Sequence, residues 1–131
     1  TGLLTQEAFA RDLSGAIGTS DQSGGALTAA RFALDTKDVR LCHAASRTLA
    51  RLMRQMDFAT LDDDGAIVTV FAGEDIRSAH VIARRLANAL KPFTTTGQSK
   101  ATPRVTLATL QSGETADGLL ASLRTTRRSG S

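Results

Sequence analysis

The order of hydrophobic patterns along this chain predicts an α+β fold. The expected core is a ferredoxin-like βαββαβ unit, an antiparallel sheet with helices packed on it, with an N-terminal helix before it and a short C-terminal helix after it. Three observations carry that expectation. Two long stretches repeat apolar residues at i, i+3 and i+4, and four short apolar runs lie between and beside them. The middle two runs are joined by Asp62-Asp63-Asp64-Gly65, and an Asp-Gly pair between apolar runs marks a tight hairpin.

Taken in order, Thr5 to Ile17 reads as an amphipathic helix. Thr5 is its N-cap, Glu7 lies in its first turn, and Phe9, Leu13, Ala16 and Ile17 form the apolar side. Gly18 to Gly25 reads as a Ser/Gly-rich loop and Ala26 to Leu34 as a strand. The longest helical pattern runs from Thr36 to Met56, with Val39, Leu41, Cys42, Ala45, Leu49, Leu52, Met53 and Met56 on one side. The hairpin strands follow, Phe58 to Leu61 and Ala66 to Phe71. Glu74 to Leu90 is a further helix with Ile76, Ala79, Ile82, Ala83, Leu86 and Leu90 inward, closed by Lys91-Pro92. A polar loop from Thr94 to Thr102, a strand from Arg104 to Leu110 and a short helix from Thr115 to Leu123 complete the order, before an Arg-rich solvated tail.

At 131 residues the chain fits one domain with a real core, and no apolar run is long enough to cross a bilayer. The single cysteine, Cys42, excludes an internal disulfide, suits a reducing compartment and reads as a buried structural thiol. A cytoplasmic location is expected, whether or not the parent protein is membrane-attached. The net charge of +3 suits an anionic partner. With no Trp or Tyr and five Phe, the chain lacks the stacking platforms of RNA and single-strand binders, so no nucleic-acid polymer is expected. His43 and His80 have no second ligand at metal spacing and read as structural. Adjacent Asp residues at the hairpin tip cannot all face one ion, so they read as a solvated acidic turn; no metal and no cofactor is expected.

Thr1-Gly2-Leu3-Leu4-Thr5 ahead of a helix is similar to the opening motif of GGDEF domains, the diguanylate cyclase family. The likeness continues through Asp57-Phe58-Ala59-Thr60-Leu61, the hairpin, Phe71-Ala72-Gly73-Glu74-Asp75, the helix Ala79-His80-Val81-Ile82-Ala83-Arg84-Arg85-Leu86, and the strand Val105-Thr106-Leu107-Ala108. It spans nearly the whole chain, so residues 1–131 are expected to be one domain of a larger multidomain protein.

Aligned this way, the family's Gly-Gly-Asp/Glu-Glu-Phe signature falls on Asp63-Asp64-Gly65-Ala66-Ile67. Both glycines that admit the nucleotide phosphates are Asp, the metal-binding acid is Gly65, and the following Glu is Ala66. Asp62, Asp63 and Asp64 would stand beside a triphosphate, where like charges at short range cost kcal/mol rather than tenths. No metal would be held to neutralise them. The guanine-binding segment that follows the family's first strand is also missing, since Phe32-Ala33-Leu34-Asp35 runs straight into Thr36-Lys37-Asp38; Asp35 alone keeps a metal-binding position. The resemblance therefore implies a domain that is not an enzyme.

What the resemblance retains is an Arg-x-x-Asp product-inhibition motif, which falls on Arg54-Gln55-Met56-Asp57 at the family's spacing ahead of the hairpin. A further family arginine falls on Arg85. The implied ligand is cyclic di-GMP, bound by Arg54, Asp57 and Arg85. An arginine fork matches the O6/N7 edge of guanine, and a carboxylate can accept from N1–H and the 2-amino group. Placed at i and i+3 near a helix end, Arg54 and Asp57 would share a face; Arg84 or Arg85 would offset the ligand's phosphates. The alternative is a pseudo-enzyme serving as an interaction or dimerisation module that binds no nucleotide, with Arg54 and Asp57 as a surface ion pair. Either way, a protein partner or attached effector domain is expected, and a homodimer fits both readings.

Overall fold

A computed structural model describes residues 3–34, 38–54, 57–63, 65–93 and 103–125. In chain order the elements are α1 (Gln6–Ser23), β1 (Leu27–Ala33), α2 (Val39–Leu52), β2 (Phe58–Leu61), β3 (Ile67–Ala72), α3 (Ile76–Leu90), a 3-10 turn (Lys91–Phe93), β4 (Arg104–Thr109) and α4 (Ala116–Thr125). The strands form one antiparallel sheet ordered β2-β3-β1-β4, the expected ferredoxin-like arrangement with an extra helix at each end.

Strand parity divides the core in two. On β1 and β3, Ala30, Phe32, Ile67 and Phe71 face α2 and α3, where Cys42, Ala45, Leu49, Ala79, Ala83, Leu86 and Leu90 meet them. Leu27, Ala29, Val68 and Val70 point the other way, against Phe9, Leu13 and Ile17 of α1 and Leu119 and Leu123 of α4. A sheet covered on both faces reads as near-continuous apolar runs, which is what β3 shows. Phe9 meets Phe58 edge to face, with ring centroids 5.5 Å apart, and so fixes α1 over β2. The outer edge of β2 is protected by the N-terminal segment: the Leu4 amide donates to the Ala59 carbonyl at 2.8 Å, and the Thr60 hydroxyl donates to the Leu4 carbonyl.

Three local expectations are revised. Helix α1 continues through the Ser/Gly-rich stretch to Ser23, ending at Gly24, whose φ of 74° is the left-handed C-cap that glycine supplies. Helix α2 ends at Leu52, because Met53 is extended, so Arg54 and Asp57 lie beyond the helix rather than on its last turn. Val39, Leu52 and Ile76, expected inward, are 65%, 50% and 44% exposed; each sits at a helix end, where the periodic pattern outruns the surface available to cover it. The expected polar loop at 94–102, the tail beyond 125, and Asp35 and Asp64 lie outside the described residues. No described helix is long and apolar enough to cross a membrane.

Candidate functional site

The connection from α2 to β2 closes on itself through the Arg-x-x-Asp sequence. The Asp57 amide donates to the Arg54 carbonyl at 3.1 Å, the signature of a four-residue turn. The Asp57 carboxylate accepts from Arg54 three times: from its backbone amide at 3.3 Å, from Nε at 2.9 Å and from Nη2 at 2.8 Å. The last two form the fork geometry in which a guanidinium and a carboxylate pair most strongly. The motif thus lies just beyond the end of α2 and leads the chain into β2.

The same guanidinium reaches across to the end of β3. Its Nη1 donates to Glu74 at 2.5 Å, and its Nη2 also donates to the Ala72 carbonyl at 3.4 Å. The side chain of Asp57 is 1% exposed, that of Glu74 22% and that of Arg54 37%. Hydrogen bonds from Arg54 to Asp57 first and Glu74 second hold the guanidinium proton far above its ordinary affinity, so Arg54 is a permanent cation. Glu74 is placed by its backbone: Gly73 adopts a φ of 82°, open only to glycine at low cost, and the Thr28 hydroxyl from β1 donates to the Glu74 carbonyl at 2.9 Å.

The sequence-expected residues are therefore partly assembled. Arg54 and Asp57 are in direct contact. Arg85 is exposed on α3, which begins beside Glu74 and runs away from it. At 1.5 Å per residue, Arg85 lies about 13 Å along the helix axis from Ile76. Helical geometry turns Arg85 outward from the core, whereas Arg84 lies on the β4 side, where it and His80 edge a shallow apolar groove of about 150 Å³ over Val105 and Leu107. Glu74 was not singled out by sequence reasoning. Its only local signal is a carboxylate just before Asp75, the N-cap of α3, and its link to Arg54 is purely tertiary.

At the hairpin, the Gly65 amide donates to the Asp62 carbonyl and the Asp62 amide to the Ala66 carbonyl, giving a three-residue loop with Gly65 at a φ of 89°. Asp63 is tied to α1, accepting from the Gln6 side chain at 3.0 Å. Among the described residues no three His, Cys, Asp or Glu side chains cluster as a metal site would require. Cys42 is buried, and burial first, then Asp38, pushes its thiol above the ordinary range, as a structural cysteine would have it.

No protein-family model and no curated protein matches the chain. Solved structures do. The coiled coil and GGDEF domain of DgcB from Caulobacter crescentus, in complex with c-di-GMP, superposes with a TM-score of 0.77 at 14% identity, covering 98% of this chain and 78% of that one. A sensory box/GGDEF family protein from Caulobacter crescentus CB15 gives 0.71 at 22% identity, over 95% and 90% of the two chains. The diguanylate cyclase SiaD from Pseudomonas aeruginosa, in complex with its activator SiaC, gives 0.73 at 16% identity, over 99% of this chain and 57% of that one. Joined to the strand order and the two-sided core, these superpositions establish that the chain has the fold of GGDEF domains, the fold on which diguanylate cyclases are built.

Proposed function

We propose that this chain is a GGDEF-type domain without cyclase activity that serves as a receptor for cyclic di-GMP and passes its occupancy to an attached or partner protein. The observation that carries this reading is the Arg54–Asp57 fork, a rigidly oriented, permanently charged guanidinium at the family's inhibitory-site position, with Arg85 on the same side of the sheet. Guanine recognition needs such a fork, and a cyclic dinucleotide's phosphates need additional cations. The DgcB structure, a complex with c-di-GMP, supports the ligand class. The SiaD–SiaC complex supports a protein partner.

The hairpin residues support a reading without cyclase chemistry. Asp63-Asp64-Gly65-Ala66-Ile67 supplies neither the phosphate-admitting glycines nor the metal-binding acid, and carboxylates there repel a triphosphate.

Calorimetry with cyclic di-GMP tests the reading. The wild-type chain binds, Arg54→Ala loses binding, and Arg85→Ala, an exposed position whose loss leaves the fold intact, weakens it. Equal affinity in all three proteins would remove the site. Thermal-shift measurements with cyclic di-GMP, with GTP plus magnesium, and with buffer complete the comparison, because a specific ligand stabilises by mass action. A shift with GTP plus magnesium alone contradicts the proposal.

A second reading, an interaction or dimerisation module that binds no nucleotide, is favoured by one observation. Both edges of the Arg54 guanidinium already have acceptors, and the Asp57 side chain is 1% exposed. A flat response to every nucleotide, in the wild type and in variants that free the second edge of Arg54, would favour it.

A further inference from the structure

Resting on the cyclic di-GMP reading, we infer that Glu74 is an internal latch on the ligand site: it occupies the Arg54 edge that guanine needs and must swing away for the ligand to bind. A guanidinium offers two edges that can each give a pair of parallel N–H donors, one through Nε and Nη2 and one through Nη1 and Nη2. In this structure Asp57 takes the first edge with both oxygens, at 2.9 and 2.8 Å. The second edge is taken by Glu74 on Nη1 and by the Ala72 carbonyl on Nη2, at 3.4 Å. No complete fork is left for the O6/N7 edge of a base.

The two carboxylates are unequal in how readily they yield. Asp57 is buried and holds Arg54 with three hydrogen bonds; releasing it would strand a carboxylate in the protein interior and undo the turn into β2. Glu74 holds Arg54 by one oxygen and one nitrogen, and its side chain is 22% exposed, so its carboxylate has water to turn to. The Ala72 contact is long and weak by comparison. Ligand entry therefore breaks the Glu74 pair and keeps the Asp57 pair. Asp57 positions Arg54, and the Nη1/Nη2 edge faces the base.

The latch also acts by charge. The ligand brings two phosphodiester anions toward the ends of β3 and α3, and an unpaired Glu74 would repel them unless it rotates clear. Its side chain can rotate while its backbone stays fixed, because the Thr28 hydroxyl and the Gly73 turn hold the main chain. Binding is consequently set by a competition inside the protein, and anything that draws Glu74 aside, such as a basic group on a partner protein, raises affinity for the nucleotide.

Calorimetric titration of cyclic di-GMP into the wild type, Glu74→Gln, Glu74→Ala and Arg54→Ala decides the matter. Removing one partly exposed ion pair is expected to tighten binding roughly threefold to tenfold in both Glu74 variants. Their melting temperatures should stay level or fall, which separates release of a latch from general stabilisation. A silent wild type with binding uncovered in the Glu74 variants also supports the latch. Unchanged or weaker binding in both variants, beside a wild type that binds, overturns the latch and leaves the receptor reading standing. No binding by the wild type or either Glu74 variant overturns both.

Discussion

Single side chains in this molecule are mostly satisfied, which makes the exceptions informative. The Thr69 hydroxyl on β3 is fully buried on the side of α2 and α3 and has no hydrogen-bond partner among the described residues. A buried hydroxyl without a partner loses its hydration and gains nothing, whereas a methyl of similar volume fits the apolar surroundings. Thr69→Val is therefore expected to raise unfolding free energy by about 1 kcal/mol, read as a higher denaturant midpoint with unchanged slope. Arg54 is the opposite case. Arg54→Ala leaves the Asp57 carboxylate buried with only the backbone amide of residue 54 as donor, and an uncompensated buried charge costs roughly 3 kcal/mol, less what that amide and water entering the truncated site restore. A chemical denaturation curve indistinguishable from wild type would mean that Asp57 is not held as described. The arginine and its aspartate were legible in the sequence as a motif. Their enclosure was not, because Glu74, Ala72 and Thr28 reach the site from other strands and leave no local trace.

Helices and strands were legible where apolar spacing is dense and long. The sheet order follows from four apolar runs and one turn, and the observed strand limits fall within a residue or two of the expected ones. Helix ends were less legible, for a specific reason in each case. At α1, Gly18 and the Ser/Gly composition after it suggest a break, yet the helix runs on through Ser23: the Thr19 hydroxyl donates back to the Gly15 carbonyl, and Gly24 supplies the real stop. A Cβ added at Gly15 or Gly18 meets nothing within 4 Å. Gly18→Ala should accordingly stabilise by about 0.5–1 kcal/mol, while Gly24→Ala, at positive φ, should destabilise by a similar amount; thermal melts of the two variants should shift in opposite directions. At α2, the apolar pattern runs past Leu52 because Met53 still packs on the core after the helix has ended. At α3 the end is set by Asp75, whose carboxylate accepts from the Ser78 amide at 2.9 Å. That hydrogen bond first, with Ser78 Oγ and Arg77 assisting, lowers its pKa from an ordinary value of 3.8. A depressed folded-state value means that the cap's contribution is complete above pH about 4 and is lost as pH falls through the lowered value. Asp75→Ser, which caps without titrating, should flatten that part of the acid side of the stability curve; an unchanged curve would place the acid sensitivity elsewhere.

Charge is divided unevenly among the described helices. Helices α2 and α3, side by side on one face of the sheet, carry Arg40, Arg47, Arg51, Arg77, Arg84 and Arg85 and no Asp or Glu within their limits. On the opposite face α1 carries Glu7, Asp12 and Asp21 against the single Arg11, while α4 is balanced, with Asp117 in its first turn and Arg124 near its end. The net charge of +3 conceals this division, which is why composition alone gave only a mild preference for an anionic partner. Composition cannot assign charges to faces; the helical periods and the strand parity together do. A field of this shape draws a dianion toward the side that holds Arg54 and Arg85 and away from α1. Long-range attraction speeds encounter more than it prolongs the bound state, since it acts before contact and is screened beyond about 8–10 Å in physiological salt. Arg47 lies on the exposed side of α2 and outside the proposed ligand contacts, so it isolates the effect. Stopped-flow measurement with a fluorescent cyclic di-GMP should give an association rate that falls as salt rises. Arg47→Glu should lower that rate by about two- to threefold at low salt, with the dissociation rate unchanged and the difference gone in concentrated salt. An association rate indifferent to both salt and Arg47 would mean that the charge division of the two faces has no part in bringing the ligand to its site.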